Sequence, residues 1–122
     1  MLIAALALAG ALGAVARHAV TDTVGSAPER RAVAVLVINV AGSALLGAVV
    51  GLARAHGLGR DAVVIVGAGL CGGFTTFSAY AHLTVLLAGG GDELRGVALR
   101  TAVAGLVLPP LAAGIAFVLT SA

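Results

Sequence analysis

The charged residues of this chain are placed so that four long stretches carry no charge at all: residues 2–16, 32–53, 62–91 and 101–122. A helix needs about 20 apolar residues to cross the hydrocarbon core of a bilayer. Hydrophobic residues make up 61% of the sequence and charged residues 10%, whereas a soluble domain carries about 25% charged residues. That polar surface is too small to cover a globule in water, so the surplus apolar surface must meet lipid. The first stretch reaches spanning length with Arg17 and His18 at its end, and Arg100 can snorkel at the start of the last. The reading is an all-α membrane protein, a single unit over residues 1–122, with spans at about 2–20, 32–53, 62–88 and 94–119.

The N-terminal stretch also has the apolar core of a secretory signal, with Ala11-Leu12-Gly13-Ala14 as a small-residue cleavage region. It lacks the basic segment expected in front of such a core and is read as a retained span. The net charge of +2 calls for no nucleic-acid partner, because Arg30-Arg31 is only a pair and no basic stretch has aromatic neighbours. Arg54 and Arg60 fall on one side of the membrane, and Arg17, Arg30, Arg31, Arg95 and Arg100 towards the other. The positive-inside rule puts the second group in the cytoplasm and both termini outside. Many of the 18 glycines lie within the spans, where small residues let helix backbones approach closely. Pro109 and Pro110 in the fourth span predict a kink.

Polar residues inside a span are costly and usually functional. Asn39 and Ser43 lie in the second span, and Thr75, Thr76, Ser78, Tyr80, His82 and Thr84 in the third. Every acidic residue lies in a loop or at a span end, which argues against a proton-coupled exporter built around a buried carboxylate. A lone Cys71 and three scattered histidines offer no metal cluster and no catalytic constellation, so an enzyme is not expected. The densest polar segment is Gly69 to Tyr80, where paired glycines precede paired threonines. Two readings are open there. The third helix breaks near Gly72 to Thr76 and frees backbone groups to face an ion, or the glycines only kink it and the hydroxyls bond back to the helix.

Gly72-Gly73-Phe74-Thr75-Thr76-Phe77-Ser78 resembles the signature of the Fluc family of fluoride channels, also called CrcB proteins. Gly10 to Arg17 resembles that family's first helix, and Asn39-Val40-Ala41-Gly42-Ser43 its second. The resemblance covers nearly the whole chain. It implies a multi-pass protein of the cell membrane whose third helix is broken and whose subunits pair as an antiparallel dimer. It further implies a structural sodium ion (Na+) held at the interface by the carbonyls of Gly72 and Thr75. Its fluoride pathway would involve Asn39, Phe77, Tyr80, Thr76 and Ser78, with Arg17 near the aqueous end. The implied function is passive export of fluoride.

This sequence departs from the family pattern in places. Tyr80 stands where a second phenylalanine is expected, Val35 where a threonine is, and residues 102–119 carry no hydroxyl. These departures leave a second reading: a weakly conducting structural subunit that completes the pore of a second Fluc-type partner.

Overall fold

The computed structural model describes all 122 residues. It is all helical. α1 covers Leu2–Thr23 and α2 covers Pro28–His56. The third span, α3, covers Arg60–Ala88, and the fourth, α4, covers Asp92–Thr120. All four are long and apolar enough to cross a membrane. At about 1.5 Å per residue, the 29 residues of α2 and of α4 each reach about 44 Å, beyond the ~30 Å hydrocarbon core. Their ends therefore stand in the headgroup layer, where the arginines belong.

The helices run past the uncharged stretches at most ends. α2 begins at Pro28, not at residue 32, because proline is well suited to the first helical turn, where its missing N–H is not needed. It stops at Gly57, whose left-handed backbone (φ 68°, ψ 36°) lets its N–H donate to the Ala53 carbonyl. α4 begins at Asp92 with Glu93 beside it, and both carboxylates complement the positive end of the helix dipole. It continues through Pro109 and Pro110 without interruption.

The α3 span is not uniform. Arg60–Val63 is α-helical, Val64–Cys71 is wound as a π-helix, and Gly72–Phe74 returns to α-helix. Thr75 (φ −80°, ψ 158°) and Thr76 (φ −154°, ψ 120°) are extended, and Phe77–Ala88 is helical again. The Thr76 side chain accepts a hydrogen bond from the Ala79 N–H, so it acts as N-cap of that last segment.

Three sets of contacts hold the bundle. α2 and α4 pack along most of their length. Gly47 lies so close to Ala113 that a Cβ would overlap its carbonyl, and Gly51 is equally close to Phe117 and Thr120. The Thr120 hydroxyl donates across this seam to the Ala48 carbonyl at 3.2 Å. α1 packs mainly on Val64–Phe74 and little on α2. There Gly13 meets the backbone of Leu70 and Phe74, and Gly73 meets the backbone of Gly10. A small apolar cluster of Ala32, Val35, Leu83, Leu87 and Ala98 closes one end. Only 16 of the 122 residues are buried, so most of the apolar surface is left for lipid or for another subunit.

Candidate functional site, a polar groove at the extended segment of the third span

The polar side chains of the spans converge where α3 loses its helical geometry. Asn39 of α2 faces Thr76 and bonds it twice. Its Nδ2 donates to the Thr76 carbonyl at 3.0 Å, and its Oδ1 accepts from the Thr76 N–H at 2.8 Å. A side-chain amide carries donor and acceptor side by side, so it can take the place that a neighbouring strand or helical turn would fill for an extended residue. Gly42, one turn on, is buried, and a Cβ there would overlap the Thr75 methyl group. The Asn39-x-x-Gly42 spacing thus supplies a clamp and the room beside it.

Thr75 turns inward. Its hydroxyl donates to the Cys71 carbonyl at 2.9 Å, and its own N–H donates to the same oxygen at 2.9 Å. The back-bonding considered from the sequence therefore occurs at Thr75. The Thr76 and Ser78 hydroxyls lie 3.2 Å apart. Arg17 extends from α1, and its Nε donates to the Gly73 carbonyl at 3.4 Å. It reaches the main chain just ahead of the extended pair, a contact that sequence position alone did not suggest.

Asn39, Ser43, Thr75, Thr76, Phe77, Tyr80, Gly105 and Pro109 line a groove of about 210 Å³. Phe77 is 73% exposed at its rim, and its ring centroid lies 5.6 Å from that of Tyr80 at a 48° tilt. Tilted aromatic pairs present ring edges, which carry partial positive charge. The Tyr80 hydroxyl donates to the Ala102 carbonyl at 2.6 Å, and the ring lies against Gly105, where a Cβ would overlap it. Proline at 109 brings no N–H to the Gly105 carbonyl one turn earlier. Tyr80→Phe is expected to cost about 1 kcal/mol of stability, read as a small drop in melting temperature of the purified protein. A cost several times larger would mean that the hydroxyl organises α4.

Gly72 is exposed, and a Cβ there would meet open space. No group of three or more His, Cys, Asp or Glu side chains comes together to hold a metal. The oxygens gathered at Thr75 and Thr76 are carbonyls and hydroxyls, which suit hard cations. Several groups singled out in the sequence stand apart from the groove. His82 is exposed, and the buried Thr101 hydroxyl donates to Val97 and Ala98 carbonyls of its own helix.

A four-span bundle with its polar side chains drawn to an irregular main-chain segment within one span defines a multi-pass membrane protein of the channel and transporter class. The family of CrcB-like proteins, also described under camphor resistance (CrcB), matches residues 4–120, and the chain belongs to that family. It is a family of ion channels and not of enzymes. The chain is 43% identical over 89 residues to fluoride-specific ion channel FluC 1 of Leifsonia xyli, covering 72% of this chain and 65% of that protein, just under two thirds of its length. It is 44% identical over 110 residues to fluoride-specific ion channel FluC 2 of Natronomonas pharaonis, covering 87% of this chain and 88% of that protein. Against fluoride-specific ion channel FluC of Shewanella amazonensis the identity is 34% over 94 residues, 74% of this chain and 73% of the relative. No solved structure gives a significant match.

Proposed function

We propose that this chain is a subunit of a fluoride channel of the cell membrane that lets fluoride leave the cytoplasm down its gradient. The observation that carries the reading is the Asn39 clamp on Thr76 beside the Phe77–Tyr80 ring edges. Fluoride holds its water tightly, and a path through lipid must replace that water with donors fixed in advance. Membership of a family whose named relatives are fluoride-specific channels supports the substrate. The Thr76 and Ser78 hydroxyls extend the donor set along the rim, and Arg17 adds positive charge on the α1 side.

In this reading the subunit pairs with an oppositely inserted copy or relative, and the break in α3 faces the partner. A sodium ion fits the donors at that face. It would be held by the main-chain carbonyls of Gly72 and Thr75, joined by the same pair from the second subunit, and it would supply a fixed positive centre, with no part in transport. Three features support it: the extended ψ of Thr75, which turns its carbonyl out of the helical direction; the open space beyond Gly72; and the donor chemistry of carbonyl oxygens.

The test is fluoride release from liposomes containing only this chain, with a potassium ionophore to balance charge and a fluoride electrode as readout. Rapid release of fluoride with chloride retained is expected. A second reading rests on Tyr80, whose hydroxyl is committed to Ala102, and on the lack of any hydroxyl in residues 102–119. A subunit so built completes the pore of a Fluc-type partner while conducting weakly itself. Silence alone with release on co-reconstitution of the partner selects that reading, and silence in both preparations rejects the two together.

A further inference from the structure

Away from the polar groove, on the other side of α2, lies an open apolar groove of about 620 Å³. Val20 and Val24 at the end of α1, Val33, Ala34 and Val37 of α2, and Val97 of α4 form its walls, with Glu29 and Arg30 among its lining. At about 100° per residue, Val37 and Arg30 lie about 200° and 180° around α2 from Asn39. The cavity therefore opens away from the face where Asn39 meets Thr76. Its volume falls within the roughly 300–1,000 Å³ range of sites that take small molecules.

We propose that this groove binds one anionic phospholipid, an acyl chain lying along the valines and the phosphate at the first turn of α2. Three observations agree. The walls are apolar and lie on a membrane-spanning segment, so an acyl chain suits them. Arg30 has no carboxylate partner, because the only ion pair in the chain joins Arg95 and Asp92. Its guanidinium and that of Arg31 gather over the Gly25 turn, Arg31 through a 2.8 Å bond from Nε to the Gly25 carbonyl, and Arg30 with Nη2 4.0 Å from where a Gly25 Cβ would stand. Finally, α2 starts at Pro28 without a side-chain cap at Ala27, and the positive end of its dipole favours negative charge at that end. Glu29 is the opposing charge and sets a limit on affinity. Basic pockets between spans are the sites at which anionic headgroups dock.

Delipidated full-length protein would be mixed with equal amounts of phosphatidylglycerol and phosphatidylcholine of the same chains, and the retained lipid counted by native mass spectrometry. Phosphatidylglycerol is expected to be retained in preference, and Arg30→Gln to reduce that preference roughly fivefold, the effect of one basic side chain at an anionic headgroup. Glu29→Gln should raise the preference. Arg100→Gln, which removes a basic residue outside the groove, should leave it unchanged. Val37→Trp, which fills the groove, should lower retention of both lipids. Equal retention of the two lipids by the unaltered protein overturns the site. So does an Arg100→Gln loss as large as that of Arg30→Gln, which would reduce the effect to general surface charge. Efflux is not the readout, so failure here and failure of the channel reading are separable.

Discussion

Asn39→Ala is expected to reduce fluoride efflux by about tenfold or more while leaving the four spans in place. The substitution removes both bonds to Thr76 at once. A part-buried N–H and carbonyl then stand without partners, each at a cost of about 1–3 kcal/mol. A loss of that size at the two extended residues is enough to depopulate their geometry, whereas the α2–α4 seam at Gly47 and Gly51 is untouched. Asn39→Asp separates the two bonds. A carboxylate still accepts from the Thr76 N–H, but it sets a second oxygen against the Thr76 carbonyl, and a charge at the centre of a span costs about 2.5–3.5 kcal/mol on insertion scales. Asp is therefore expected to be no better than Ala. Efflux from liposomes, paired with the elution profile in detergent, measures both outcomes. Normal efflux from Asn39→Ala would show that the clamp is dispensable and would take Asn39 out of the fluoride path.

The second large effect separates two adjacent glycines. Gly73→Ala places a Cβ onto the carbonyl and Cα of Gly10. Main chain cannot rotate away as a side chain can, so α1 must move, with a cost of about 1–3 kcal/mol, the usual penalty of overpacking. The shift would also draw Arg17 off the Gly73 carbonyl. Gly72→Ala meets nothing within the subunit, its backbone is helical (φ −63°, ψ −37°), and alanine is favoured over glycine in a helix by about 1 kcal/mol. Melting temperature should therefore fall by several degrees for Gly73→Ala and hold or rise for Gly72→Ala. If a second copy closes over the exposed Gly72, then Gly72→Ala should impair association while the fold survives, which single-molecule subunit counting can read. Unchanged association would place the partner elsewhere.

The spacing of charges was enough to find four spans, because lipid tolerates so few charged residues that their absence over a long stretch has little other explanation. The paired glycines and threonines marked the polar segment, and the Gly-Gly-Phe-Thr-Thr-Phe-Ser run with Asn39 led to the family. What the sequence hid was register and reach. The π-helical winding over Val64–Cys71 has no local signature in the residue types of that stretch. The bond from Arg17 to Gly73 spans 56 positions and follows from the close crossing of α1 and α3, which no spacing rule encodes. Tyr80 keeps the ring edge of the phenylalanine it replaces but adds a hydroxyl that needs a partner, which the sequence does not name. That hydroxyl ties α3 to α4 at Ala102, and Gly105 makes room for the ring, a pairing visible only once the two helices are side by side.

The glycine seam between α1 and the first half of α3 bears on how the protein is assembled during translation. α1 leaves the ribosome well before its docking surface exists, and α2, its neighbour in sequence, offers it little to hold. For the interval in which α2 is made, α1 must lodge in the bilayer or the translocon unattended, with the Arg17 guanidinium still lacking the oxygen it will later bind. A nascent chain halted between α2 and α3 should therefore leave its first helix loose and open to quality-control proteases, and the arrival of Gly69 to Gly73 should secure it.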